Sequence, residues 1–324
     1  MGFKNWKTQD WRNDPLNLGK PRFVTWWHVF NVGLLTPLEV VARIQDQMEF
    51  VQSVFGPSEY DWIIGGVSVY RQPSSAWRCS DPATYRDDIA RNRSPHQYVN
   101  IVVCQRGDKR LGQSVFPYDR DGVAIPERDS RHIINLDVEA LPGGIYGSRS
   151  KGNTLPHLLG HFFGLPHVFQ DDGRCPVIKN IDNDWDAGVT DTPTQQFPVG
   201  DEPIVEGTCS TNIRHCGSSL AIDLTNIMGS AWCASQFSPD QRTVMLTVIR
   251  EYRPLLSSRQ DCESKPCRTG FACDVNQRTL GWLSVIASPP VVQTAFVTLC
   301  KCVCISVSRA PNHIATQAEN RVFL

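Results

Sequence analysis

The sequence predicts a mixed α/β (α+β) domain, and three patterns carry that prediction. Short runs rich in Val, Ile, Trp and Phe recur through the first 137 residues, Phe23–Val32, Trp62–Tyr70, Tyr98–Cys104, Leu111–Tyr118 and Arg131–Asp137, as strands do. A segment with apolar residues at helical spacing, Pro37–Phe55, interrupts them. After the strands the chain turns helical, from about Thr154 and again from about Ser238, with a loop-like stretch rich in Asp, Gly, Pro and Thr between the two.

Each element has a local reason. In Pro37–Phe55, proline opens the first turn and Val40, Val41, Ile44, Met48 and Val51 line one face. YVNIVVC, at 98–104, is a short apolar run of the kind found in a central strand. LGQSVFPY, at 111–118, reaches Pro117, which cannot donate to a sheet ladder, so this strand is expected at an edge. The last helix opens at Ser238–Pro239 and closes at Arg253–Pro254.

With 324 residues there is room for one domain with a sizeable core and an appendage. Apolar residues make up 41% and charged residues 20%, which argues against disorder. A net charge of −1 gives no basic face for a polyanion, so no nucleic-acid partner is expected. No membrane span is expected either, because Pro289–Pro290 splits the one long apolar region. Twelve cysteines point to disulfides and an oxidising compartment. Met1–Asn17 is nevertheless polar and charged and does not read as a signal peptide, and Trp6 stands where a myristoylation motif needs Ser or Thr. The organisation expected is a leader at 1–22, a main domain at 23–256 and a cysteine-rich irregular tail at 257–324, whose segment CESKPCRTGFAC has the spacing of a small disulfide module. Nothing in the sequence fixes an oligomeric state.

The chemistry concentrates in TLPHLLGHFFGLPHVF, residues 154–169. His157 and His161 are four apart, so a helix projects both imidazoles from one face. Gly164 lets the chain leave the helix through a left-handed conformation, and the turn can return His167 to the same point. Three imidazoles converging there form a three-nitrogen zinc site with an open fourth position.

This stretch resembles the long zinc signature of metzincin metallopeptidases, and most closely that of the pappalysin family. DGVAI (121–125), LPGG (141–144), DTP (191–193), NIM (226–228) and FSPDQ (237–241) follow in that family's order. The resemblance covers roughly Phe23–Leu256. It implies a metzincin-type twisted mixed sheet, an active-site helix and a C-terminal subdomain with Met228 as the Met-turn residue below the metal. It also implies zinc ligation by His157, His161 and His167, peptide or protein substrates pairing with the edge strand LGQSVFPY, secretion, and disulfides Cys175–Cys216 and Cys209–Cys233. The family's secretion signal and inhibitory prosegment have no counterpart before Phe23, as expected of a mature domain or a truncated gene model.

Two positions depart from the family. The glutamate that follows the first histidine, the general base of the reaction, is replaced by Leu158. The tyrosine two residues after the Met-turn methionine is replaced by Ser230. Asp171 and Asp172 are candidate substitutes for the base, with calcium ligation or solvation as the plainer roles. The loop Asp182–Asp191 is a candidate calcium site against ordinary turn chemistry. Three functions remain open at this level: a zinc-dependent endopeptidase impaired at its base, a non-catalytic zinc-binding pseudopeptidase that binds peptides, and a defective gene product.

Overall fold

The computed structural model describes residues 21–57, 59–71, 73–108, 110–119, 122–145, 152–169, 175, 189–193, 195–196, 209, 211–229, 231, 233–257 and, in the tail, the short strands at 271–272, 279–285, 293–299, 305–306 and 321–322. Its centre is a mixed sheet. Strands β1 (Arg22–Phe30), β2 (Asp61–Tyr70), β3 (Val99–Cys104) and β5 (Ile133–Asp137) run parallel in the order β2-β1-β3-β5. Strand β4 (Gly112–Gln113) adds antiparallel at the β5 edge, and β10 (Arg321–Val322) adds antiparallel at the β2 edge.

Period-2 alternation sorts the strand side chains onto two faces. Trp27, Val29, Ile101, Val103, Ile134 and Leu136 join one large core. Helix α1 (Pro37–Phe55), helix α3 (Thr154–Phe162) and helix α4 (Pro239–Tyr252) contribute to the same core. Its centre is aromatic. Phe23 lies 4.9 Å from both Trp62 and Phe163, and Phe55 lies 5.0 Å from Phe237, ring centre to ring centre. On the opposite face Phe30, Val102, Cys104 and Ile133 pack with Tyr85 and Ile89, the latter on helix α2 (Arg86–Asn92). The disulfide Cys79–Cys104 ties that layer to β3.

The helix ends are set by side chains. Thr36 and Glu39 form a capping box at α1, and Ser238 and Gln241 form another at α4. Arg242 of α4 donates through Nη1 to the Phe55 carbonyl and through Nη2 to the Val54 carbonyl, both at 2.8 Å, which closes the exposed end of α1. The DTP segment docks on the start of α4. Ser238 Oγ and the Asp240 amide donate to the two carboxylate oxygens of Asp191, and Thr190 donates to Asp240. Asp191 thus takes part in the capping contacts at the start of α4.

Four expectations need correction. Of LGQSVFPY, only Gly112 and Gln113 join the ladder. Tyr118 instead bridges to Ala124, and its hydroxyl is drawn to the Gly164 carbonyl at 2.7 Å. Helix α2 has no counterpart in the sequence reading, because seven residues that bury only Ile89 leave no apolar periodicity. The tail expected to be irregular contains strands. Strand β7 (Thr279–Val285) pairs antiparallel with β8 (Gln293–Leu299), and β6 (Phe271–Ala272) pairs with β9 (Ile305–Ser306). Pro289–Pro290 lie outside the described residues. Finally, α4 is followed directly by a short helix α5 (Pro254–Ser257). Among the described residues no helix is long and apolar enough to cross a membrane.

Two histidines are built into this framework as neutral groups. His28 is fully buried on β1, between the Tyr70 hydroxyl at 3.0 Å and the Asn100 amide oxygen at 3.1 Å. His132, just before β5, is 1% exposed. Burial pushes the His28 imidazole down to about 4, and burial together with the Arg253 charge does the same to His132. An unfolded histidine titrates near 6.5, so between about pH 6.5 and pH 4 the unfolded chain binds protons that the folded chain refuses. Stability is therefore whole above about pH 6.5 and falls as pH drops, by about 1.4 kcal/mol per pH unit for each histidine at full slope. Urea unfolding followed at pH 7.5, 6 and 5 should show midpoints that decrease with acid. Equal midpoints across that range would mean that neither histidine is neutral in the fold.

Candidate metal centre

Helix α3 carries His157 and His161 on one face, as their spacing requires. The helix ends at Phe163, and the chain reverses at Gly164, where φ is +90°. A Cβ there would also meet Val248 Cγ2 at 2.9 Å, so both backbone and packing call for glycine. The reversal brings His167 back onto the helix face. His167 Nε2 lies 3.1 Å from His157 Nε2 and 3.1 Å from His161 Nε2. Two nitrogens bound to one zinc in tetrahedral geometry at about 2.0–2.1 Å would stand about 3.3 Å apart. Among the described residues, His157, His161 and His167 are the one group with metal-binding geometry, and their ligand atoms all lie within 4.8 Å of one another.

The hydrogen-bond partners fix which nitrogens face the centre. His157 Nδ1–H donates to the Ile227 carbonyl at 2.8 Å, and His161 Nδ1–H donates to the Leu165 carbonyl at 2.7 Å. Carbonyls only accept, so Nδ1 carries the hydrogen on both rings and Nε2 keeps its lone pair. His167 Nε2 can donate to at most one of those lone pairs. Lone pairs crowded on one point in this way could hold a cation, and the Nδ1 bonds are of the kind that orients a metal-bound imidazole. Burial first, then the neighbouring histidine charges, push His157 down to about 4 and His161 to about 3. Both rings are therefore neutral near pH 7, the form that ligates.

Met228 is fully buried directly below this face. A Cβ on Gly160 of α3 would fall 2.4 Å from Met228 Sδ, so glycine allows the turn to reach the helix. The same turn touches two of the histidine positions. Ile227 receives the His157 proton, and the Met228 carbonyl accepts from the Val168 amide, next to His167, at 3.2 Å. A buried amide pair holds the turn in place. Asn226 and Gln241 exchange two side-chain hydrogen bonds at 3.0 and 3.2 Å, and Asn226 Oδ1 also accepts from the Met228 amide. The NIM and FSPDQ segments are therefore physically one unit.

Leu158 is 6% exposed and part of the main core. Its Cδ1 is 2.5 Å from the point that a Cβ on Gly112 would occupy, so the side chain lies directly on the edge strand β4. It supplies no polar atom beside the histidines. Phe116 covers another side of the site, its ring 5.2 Å from that of His161, and Phe169 stacks on His167 at 4.4 Å. The spacing of the histidines gives no sign of either ring.

The disulfide Cys175–Cys216 is closed, with a Cα separation of 5.4 Å. Cys209 and Cys233, expected as a second disulfide, are free thiols, with the Cys233 thiol hydrogen-bonded toward Cys209. The physical difference is a missing covalent bond between neighbours that are already in contact. Cys79–Cys104, which the sequence left unassigned, is the disulfide found instead on the far face of the sheet. Asp171, Asp172, Ser230 and residues 182–188 lie outside the described residues.

Comparison with known proteins agrees with the site. Residues 128–250 match the peptidase family model described as Pregnancy-associated plasma protein-A. An extracellular metalloprotease of Neurospora crassa is 32% identical over 214 residues, covering 65% of this chain and 67% of that protein. One of Colletotrichum graminicola is 26% identical over 219 residues, covering 65% and 69%. Among solved structures, Tannerella forsythia mature mirolysin in complex with a cleaved peptide superposes with a TM-score of 0.56 at 17% identity, covering 74% of this chain and 96% of that one, which shows a shared fold. From the family match, the Neurospora relative and the fold together, the chain belongs to the pappalysin family of metzincin metalloproteases.

Proposed function

We propose that this chain is a secreted, zinc-holding metalloendopeptidase-family protein whose peptide-bond hydrolysis is impaired at position 158. The observation that carries the reading is the pairing of an intact three-imidazole centre with an apolar neighbour, Leu158, packed on the edge strand. His157, His161 and His167 would hold the zinc through Nε2. When bound, zinc lowers the pKa of a water in its open position and polarises a scissile carbonyl. The rest of the reaction falls to the protein. A carboxylate at 158 would take a proton from the water and pass it to the departing amine, and a leucine side chain can do neither. Losing a positioned general base costs about 10²–10⁴ in rate. The relatives named as extracellular metalloproteases and the two closed disulfides support secretion.

A peptide-binding pseudopeptidase is the second reading, and the sheet order favours it. Strand β4 is the outermost strand on its side of the sheet and runs antiparallel to β5. An extended peptide could pair with it whether or not it is cut. We assign residues 23–256 to this unit.

Metal analysis of the purified protein should find about one zinc per chain, and His161→Ala should lose it. Protein that folds but retains no zinc would remove the basis of both readings. The natural chain and Leu158→Glu should then be compared on an unstructured protein substrate, with a chelator control. The expected gain is up to about 10²–10⁴ in cleavage rate with little change in zinc content. A natural chain that already cleaves as fast as Leu158→Glu would show that another residue supplies the base.

A further inference from the structure

The exit of α3 has to be held in place for His167 to meet the other two histidines, and its carbonyls cannot be satisfied by the helix itself. Three of them are taken by side chains. Tyr118 Oη donates to the Gly164 carbonyl at 2.7 Å, His161 Nδ1 donates to the Leu165 carbonyl at 2.7 Å, and Arg253 Nε donates to the Phe162 carbonyl at 3.0 Å. The first two come from residues around the site. Arg253 comes from the far end of α4 and is completely buried.

A buried guanidinium needs its own support, and this one has it. Its carbon lies 3.6 Å from the centre of the Phe162 ring, and Nη2 donates to His132 Nδ1 at 3.0 Å. Arginine cannot accept, so His132 Nδ1 accepts and the ring proton sits on Nε2, which donates to the Ile125 carbonyl at 3.3 Å. The planar fork therefore has two fixed anchors, the carbonyl at the end of the histidine helix and an imidazole locked to the segment before β5.

We infer that Arg253 is a positioning residue for the metal centre: braced on His132, it fixes the Phe162 carbonyl and so sets the start of the Gly164 turn that delivers His167. The inference rests on the metal-binding reading above. No atom of Arg253 need touch the metal. Loss of the brace leaves the carbonyls of the turn with Tyr118 and His161 as the remaining side-chain donors described above, and the third Nε2 loses its fixed place.

A plain stability role predicts a different outcome, and Arg242 supplies the comparison. Like Arg253, it is an arginine of the C-terminal helical segment that holds helix-end carbonyls, those of Val54 and Phe55, but on α1, which carries none of the three histidines. The test is cobalt(II) affinity by chelator competition, together with the visible spectrum of the cobalt form, for the natural chain, Arg253→Met, Arg253→Lys and Arg242→Met. Arg253→Met should bind cobalt about 10–100-fold more weakly, the usual effect of removing an outer contact of a metal site, and its spectrum should change. Arg242→Met should bind with natural affinity and spectrum even if its melting temperature falls. Lysine offers a point charge that cannot serve both Phe162 and His132, so Arg253→Lys should fall between the natural chain and Arg253→Met. Natural cobalt affinity and spectrum in Arg253→Met overturn the inference alone. Should that variant not fold, natural values in Arg253→Lys do the same. Equal weakening in Arg242→Met also overturns it. A natural chain that takes up no cobalt overturns the metal reading and this inference with it.

Discussion

At Gly164 the backbone takes φ +90°, with Val248 packed where a side chain would begin. A helix alone can align His157 with His161, but the third imidazole has to come from a chain running the other way. The reversal must be sharp, because only three residues separate Gly164 from the point where Val168 bonds to the Met228 carbonyl. Glycine makes that turn accessible without the Cβ clash that other residues suffer. Most of what surrounds it serves to keep the turn in one place: Tyr118 and Arg253 on its carbonyls, Phe163 in the aromatic core, and the Met-turn below.

The metal face shows a division between geometry and chemistry. The Ile227 and Leu165 carbonyls orient His157 and His161, and the Asn226–Gln241 pair holds the turn below them. The residue after the first histidine is Leu158, an apolar side chain with no titratable group. The two properties are separable because they use different atoms of the same helix. Leucine is a good helix former and fills apolar space against Gly112, so the helix and the edge strand lose nothing in packing. A carboxylate there would instead need polar surroundings. Leu158 thus fits both the helix and the edge strand as they are packed.

The α4 helix has a wider role than its position after a long loop suggests. Its start anchors the DTP segment through Asp191 and Asp240, and its first turns hold the Met-turn through Gln241 and the end of α1 through Arg242. Arg253, just past its last turn, reaches the end of the histidine helix. In the loop from Cys175 to Thr225, these polar contacts and the Cys175–Cys216 cross-link join a small apolar cluster around Ile222 and Leu224 and the Gln195–Val168 backbone bond in holding its described parts.

Much of this was legible in the sequence. Local periodicity gave α1 with its bounds, four of the strands and α4, because amphipathic spacing and caps act over a few residues. The H-x-x-x-H-x-x-G-x-x-H frame gave the three histidines that the structure brings together, since helical spacing and a left-handed glycine are also local properties. The tail strands were missed because their partners lie far along the chain, and a short run has no local sign of which segment will pair with it. LGQSVFPY pairs only at Gly112 and Gln113, and its last residue, Tyr118, bonds to a carbonyl 46 residues away, a partner that no local pattern announces. Cys spacing likewise could not say that Cys79 meets Cys104, or that Cys209 and Cys233 touch as thiols. Which residues line the helix–turn–histidine unit was therefore fixed by sequence. What braces it, Arg253 on His132 and Asn226 on Gln241, was decided only by the tertiary structure, because a buried polar side chain finds its partner through packing and desolvation and not through its neighbours in the chain.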